Sequence, residues 1–322
     1  MVNWIAAGLC AGLAAAVLQA VILYPSPITV VAFYLSALPI FIVALGWGLN
    51  ATAVAGLSGS FAITAVAGPA PGFAFLIGIA LPPAVLSWLA LRSRPADEAP
   101  PVEGEPQVNG RQWYPEGRLV LWAAMIAAAL TSLGMLLIGA SADSFRASLE
   151  DQVGQMLTAM GEEVEGDELD QMVSVIAFML PVAAASIWLL ATLVNMKLGA
   201  RILAAFDRSP RPWARFGALT FPRRAVWLLP AALAAAMLPG MAGIIGSVFA
   251  AAMLTAFALA GLAVLHGLTE GMAARAPLLG GLYLALILLN WLLLLPLAML
   301  TMLDMAFGMR ARTAANLPSN RD

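Results

Sequence analysis

Long apolar runs separated by short breaks fill most of this chain. They fall at residues 3–23, 28–46, 51–67, 72–91, 119–140, 172–194, 225–238, 243–265 and 277–303. Most come near the roughly 20 residues that a helix needs to cross a hydrocarbon core of about 30 Å. None shows the strict alternation of a barrel strand, and in lipid every backbone polar group needs an internal partner, so helices are expected. Pro25, Pro27, Pro69 and Pro71 punctuate the first four runs, as helix breakers should. The expected fold is all-α, a polytopic transmembrane helix bundle with eight to nine membrane segments. The count turns on 225–238, which is short and contains Pro230: it is either a ninth crossing or a half-helix.

The polar stretches divide the chain. Residues 1–91 form an N-terminal four-helix membrane block. Residues 92–118 hold Pro95, Pro100, Pro101 and Pro106 with several acids and few apolar residues, a composition that predicts a flexible tether. Residues 119–312 form a C-terminal block, with a loop at 141–171, an Arg-rich loop at 195–224 and a polar tail at 313–322. Lys and Arg concentrate in 92–118 and 195–224, whereas 141–171 carries nine acidic residues and only Arg146. Positive loops stay in the cytoplasm, so the N-terminus is expected inside and the acidic loop outside. Within that loop Phe145, Leu149, Val153, Met156, Leu157 and Met160 share one helical face, with Asp143 or Ser144 placed to cap it. An amphipathic helix over the outer mouth of the bundle is the expectation; its acidity argues against a helix that seeks anionic lipid.

Composition narrows the chemistry. Of 322 residues, 62% are hydrophobic and 11% charged, against about 25% charged in soluble domains. The partner implied is the lipid bilayer, and a net charge of -2 gives no reason to expect nucleic acid. Cys10 is the only cysteine, so no internal disulfide can form, and its alanine and glycine neighbours suggest a buried filler. One histidine and no His/Asp/Glu cluster argue against a metal, no nucleotide-binding glycine loop appears, and neither an enzyme nor a cofactor is expected.

A few polar groups stand out. Gly56-Leu57-Ser58-Gly59 resembles the nucleophile motif of rhomboid-type intramembrane proteases, for which His266 would be the base. The wider rhomboid pattern is missing, and Gly and Ser at this spacing also serve close helix packing. His266 and Glu270, four apart, fit a proton or cation relay or an interfacial pair closing a helix. Asp304, Asn290, Gln19 and Asn50 lie at or within apolar runs and are expected to face the bundle interior. Ala7, Ala11 and Ala15 form a small-residue face on the first helix, suited to close approach by another helix of this chain or of a partner.

The stretch Asn195-Met-Lys-Leu-Gly-Ala-Arg201, followed by Pro212 and Phe221-Pro222, resembles the YybS-like family of uncharacterised bacterial membrane proteins. So do Gly261-Leu-Ala-Val-Leu-His266 and Leu303-Asp304 with Arg310. The resemblance singles out Asn195, Arg201, His266 and Asp304 and implies a bacterial inner membrane. That family is distantly similar to the substrate-binding S components of energy-coupling-factor transporters, which dock a coupling subunit through an Ala-x-x-x-Ala face. It implies a small-molecule binding or transport-related component, with a membrane partner on Ala7, Ala11 and Ala15 or on 195–224. The alternative is a non-enzymatic scaffold or assembly factor working through the Arg-rich loop.

Overall fold

The computed structural model of the chain describes residues 3–23, 26–96, 107–108, 110–160 and 166–316. Pro25, the linker residues 97–106, the acids Glu162, Glu163 and Glu165, the side chains of Met160 and Asn290, and those of the tail from 313 onward lie outside that description. The protein is a helical membrane protein. Six helical stretches among the described residues are long and apolar enough to cross a membrane: Pro27–Trp47, Leu49–Ala67, Pro69–Ala90, Glu116–Ile138, Gln171–Ala205 and Gly240–Leu268. Trp4–Ala20, Arg275–Leu289 and Leu294–Phe307 are shorter apolar helices. The chain divides into two compact units, one of residues 1–123 and 188–214, the other of 124–187 and 215–322. Residues 188–214 thus belong with the N-terminal helices rather than with the C-terminal block.

The first unit begins with α1 (Trp4–Ala20), capped by the Asn3 side chain, and α2 (Pro27–Tyr34), opened by a reciprocal Ser26–Thr29 capping box with Pro27 in the first turn. α3 (Leu38–Trp47), α4 (Leu49–Ala67), α5 (Pro69–Phe75) and α6 (Leu81–Ala90) follow. The small face of α1 is used within this unit: Ala11 and Ala15 pack with Ala51 and Ala55 of α4, and Ala7 lies at the margin of the same cluster. A methyl on Gly12 would collide with the Ser58 side chain and the Ala55 backbone, so this approach tolerates nothing larger. Ala7, Ala11 and Ala15 are therefore not a free docking surface. The outward face is Leu9, Leu13 and Val17, and Cys10 is exposed rather than buried.

Between α5 and α6 the helix widens into a π turn, Leu76–Ala80. Pro82 and Pro83 explain it: each removes a donor and crowds the carbonyl four residues back, and the wider turn relieves that clash. The 92–118 segment is not wholly a tether. β1 (Ser93–Pro95), β2 (Gln107–Val108) and β3 (Arg111–Trp113) pair antiparallel in the order β1-β3-β2, with Ser93 opposite Trp113. After β3 comes α7 (Glu116–Ile138), which the unit boundary divides.

In the second unit, α8 (Ala142–Met160) is the expected amphipathic helix. Phe145, Leu149, Val153 and Leu157 are buried, while Met156 is exposed. Its cap is Ser141, one turn earlier than expected: Ser141 Oγ accepts from the Ser144 N–H, and Ser144 Oγ accepts from the Ser141 N–H. α9 (Asp167–Ala205) begins here and ends in the first unit, so Lys197 and Arg201 sit on a helix, not in a loop. α10 (Leu228–Ala236) has 9 residues, a length of about 14 Å, and alone falls short of a crossing. It packs on α11 (Gly240–Leu268), which is mostly buried. The run 277–303 is two helices rather than one span. α12 (Arg275–Leu289) meets a 3-10 turn at Asn290–Leu293 before α13 (Leu294–Phe307) packs on α11, and α14 (Met309–Asn316) closes the described chain.

Candidate functional site

Each unit contains an arginine that bonds several backbone carbonyls at once. In the first, α9 ends with Asp207 in the left-handed conformation (φ 53°). The Asp207 N–H donates to Ala204 at 3.1 Å and the Arg208 N–H to Leu203 at 2.8 Å, the bond pair of a Schellman end. The chain then delivers Arg211, 2% exposed, to the ends of α6 and α7. Arg211 Nη1 donates to the carbonyls of Ala90 (2.8 Å) and Tyr114 (3.1 Å), and Nε to that of Pro212 (3.2 Å). Its guanidinium lies over the rings of Trp213 and Trp113 at 4.6 and 5.9 Å. Glu116 stands 3.8 Å from Nη2, beyond hydrogen-bond length. That carboxylate accepts from the Ala214 N–H at 2.6 Å and faces Lys197 at 3.9 Å. Burial lowers the Arg211 pKa to about 10 while Glu116 pulls it back up, so the group remains a cation at neutral pH. A cavity of about 190 Å³, whose wall includes Arg92, Arg94, Gln112 and Arg118, opens beside Tyr114.

In the second unit Arg310 plays the corresponding part. Its Nε and Nη2 donate to Asp304 Oδ2 at 2.9 and 2.7 Å, and its N–H to Oδ1 at 3.0 Å. Nη1 donates to the carbonyls of Gly217 (2.9 Å) and Leu219 (2.8 Å). Gly308 makes this possible: at φ 61° it ends α13 in the left-handed region, which costs a glycine nothing, and turns the chain back on Asp304. A second cavity of about 280 Å³ lies under the N-terminal turn of α8, walled by Asp143, Phe145 and Arg146, by Ser174 and Phe178 of α9, and by Ile244 of α11.

A model of a family of predicted membrane proteins, DUF2232, matches residues 13–305. The chain belongs to that family. No curated protein matches it, and no solved structure does.

In this DUF2232 member the residues singled out from sequence fall in separate places. Asn195, 1% exposed, donates from Nδ2 to the Tyr34 carbonyl (2.7 Å) and to Ala191 (2.9 Å). It thereby satisfies an acceptor freed where α2 breaks before α3. Arg201 is exposed on α9. His266 is half-buried, with Nδ1 2.8 Å from the Leu262 carbonyl and Nε2 3.2 Å from the Tyr283 hydroxyl. Glu270 does not share its helical face, because α11 stops at Leu268; it pairs instead with Arg215 at 3.1 Å, on the surface. Ser58 Oγ donates to Ala55 within α4. Asn50 is exposed in the first turn of that helix. Among the described residues no three His, Cys, Asp or Glu side chains gather as a metal site. Sequence reasoning missed Arg211 and Glu116 as a pair. The only available signal was Arg211 set between prolines and beside Trp213, and its acceptors are backbone carbonyls that no side-chain pattern announces.

Proposed function

We propose that this DUF2232 protein is a non-enzymatic, transport-related binding component for a small molecule in a bacterial inner membrane. In this reading the N-terminus and the Arg-rich segment face the cytoplasm, in keeping with the Lys and Arg bias. The observation that carries the reading is the cavity of about 280 Å³ beneath α8. Its apolar wall with one acid, one base and one hydroxyl is the usual make-up of a small-ligand site, and its volume sits at the lower edge of the roughly 300–1,000 Å³ range of such sites. Asp143 and Arg146 would meet the charged ends of a zwitterionic or hydrogen-bonding molecule. The proposal does not draw on α1, whose small face is packed on α4.

Native mass spectrometry after extraction in mild detergent tests this reading. A stoichiometric small molecule is expected, lost in Ser174→Leu, which fills the cavity, and weakened in Arg146→Gln, an exposed position that leaves packing alone. Absence of any retained molecule, or retention unchanged in both variants, overturns it. A scaffold role has one observation in its favour: within the first unit Arg211 bonds the backbone carbonyls of Ala90 and Tyr114, which holds its part of the Arg-rich segment in place. Recovery of a protein complex without a small molecule would support that role.

A further inference from the structure

Arginine and amide donors predominate among the polar groups of the cavity in the first unit. Gln112 is 2% exposed on β3; its Oε1 accepts from Arg94 Nε at 2.9 Å, while its Nε2 is buried and meets no acceptor among the described residues. An unmatched buried amide donor is costly and uncommon in a folded chain. Arg118 half-emerges from the first turn of α7 into the same cavity. Arg92 completes the rim, held flat at 3.8 Å over the ring of Trp88. Pro115 and Arg118 place the cavity at the N-terminal end of a 23-residue helix, whose dipole adds positive potential. Arg211, charged and buried, bonds the Tyr114 carbonyl in the wall behind.

Among the described residues Gln112 Nε2 lacks an acceptor, and the place says which kind would suit it. At about 190 Å³ the cavity is below the roughly 300 Å³ at which sites for whole small ligands begin, so it fits one anionic group with the rest of its molecule outside. It lies where two candidate spans end, Pro69–Ala90 leading into Arg92 and Glu116–Ile138 starting after Pro115. That is the depth of lipid headgroups. We infer that Gln112, Arg118 and Arg92 form a binding site for a phosphate-bearing anion, either a phospholipid headgroup or a soluble phosphate.

The test uses the full chain in detergent, titrated with dioctanoyl phosphatidylglycerol and, separately, with inorganic phosphate. The readout is native mass spectrometry, with gel filtration to check folding. Arg118→Gln is expected to weaken binding by about tenfold, the value of one charged hydrogen bond, with Arg92→Gln as a second, exposed variant. Arg111→Gln is the control, since Arg111 bonds Ser93 Oγ and does not line the cavity. Lipid binding that resists millimolar phosphate assigns the site to a headgroup; displacement by phosphate assigns it to a soluble anion. Equal losses in the Arg111 and Arg118 variants would mean a diffuse basic surface and overturn the inference. So would no change in Arg118→Gln.

Discussion

The two arginine nodes solve the same problem with different means. Both hold a turn of the Arg-rich segment to its unit by donating to backbone carbonyls, Arg211 to Ala90 and Tyr114, Arg310 to Gly217 and Leu219. Arg310 also carries a carboxylate of its own, bound through two nitrogens six residues from Asp304. Arg211 has only a shared one at 3.8 Å, and makes up the difference with carbonyl dipoles and two indole faces. A local counter-charge makes the second node self-contained. In the first, one carboxylate is shared between Arg211 and Lys197, so its positive charge is only partly offset next to the cavity.

If that contrast is right, the nodes fail differently. Asp304 is 8% exposed, and Asp304→Asn would leave the Arg310 cation half-buried without its counter-charge. Breaking such a pair from one side costs about 3–5 kcal/mol, of which about 3 is expected here because Arg310 keeps some solvent contact. The measurement is denaturant unfolding in detergent, and a loss below that of any first-node variant would break the comparison.

Glu116→Gln is the matched change in the first unit and should cost less, about 1–2 kcal/mol. Glutamine still accepts from the Ala214 N–H, and Arg211 keeps its three carbonyls. The same variant sharpens the electrostatic side. With its pKa lowered by burial to about 10, Arg211 gives up its proton earlier in the folded chain than in the unfolded one. Above about pH 10 the unfolded chain therefore binds more protons, so this group's contribution to stability rises with pH there and is a constant cost below it. Removing Glu116 removes the raising influence and should start this rise at lower pH, which alkaline unfolding of the two chains would read.

Much of the helical frame was legible because lipid demands long uninterrupted apolar runs. The run at 243–265 is α11, lengthened by a few residues at either end, and 51–67 is most of α4. The periodicity of Phe145, Leu149, Val153 and Leu157 was enough to place α8. The run 277–303 misled because apolarity is continuous across a break. Pro296, which crowds the carbonyl of Leu292 in the 3-10 turn, was the signal available. Of the polar residues expected to turn inward, Asp304 does so, since it cannot face hydrocarbon unpaired, whereas Asn50 is exposed; Asn195 is buried although it was read as part of a loop. The partners of Asn195 and Asp304 could not be read. Asp304 and Arg310 are six apart, not a helical spacing, and meet only because Gly308 reverses the chain. Arg211 finds acceptors 121 and 97 residues away, in peptide groups identical in every sequence.

The smallest test lies at the entry to the first node and has the opposite sign. The second node is entered through Gly308 and the first through Asp207, both left-handed, but only the glycine adopts that conformation without a steric cost. Asp207 is exposed, and the Schellman bonds around it come from backbone, so a glycine there would keep them. Asp207→Gly should therefore stabilise the protein, by about 0.5–1 kcal/mol after the glycine's larger entropy loss on folding is set against the relieved strain. Unfolding midpoints of the variant and the parent measure it. A lowered midpoint would mean that the aspartate carboxylate helps to hold the segment leading to Arg211, and that the first node has a carboxylate besides the shared Glu116.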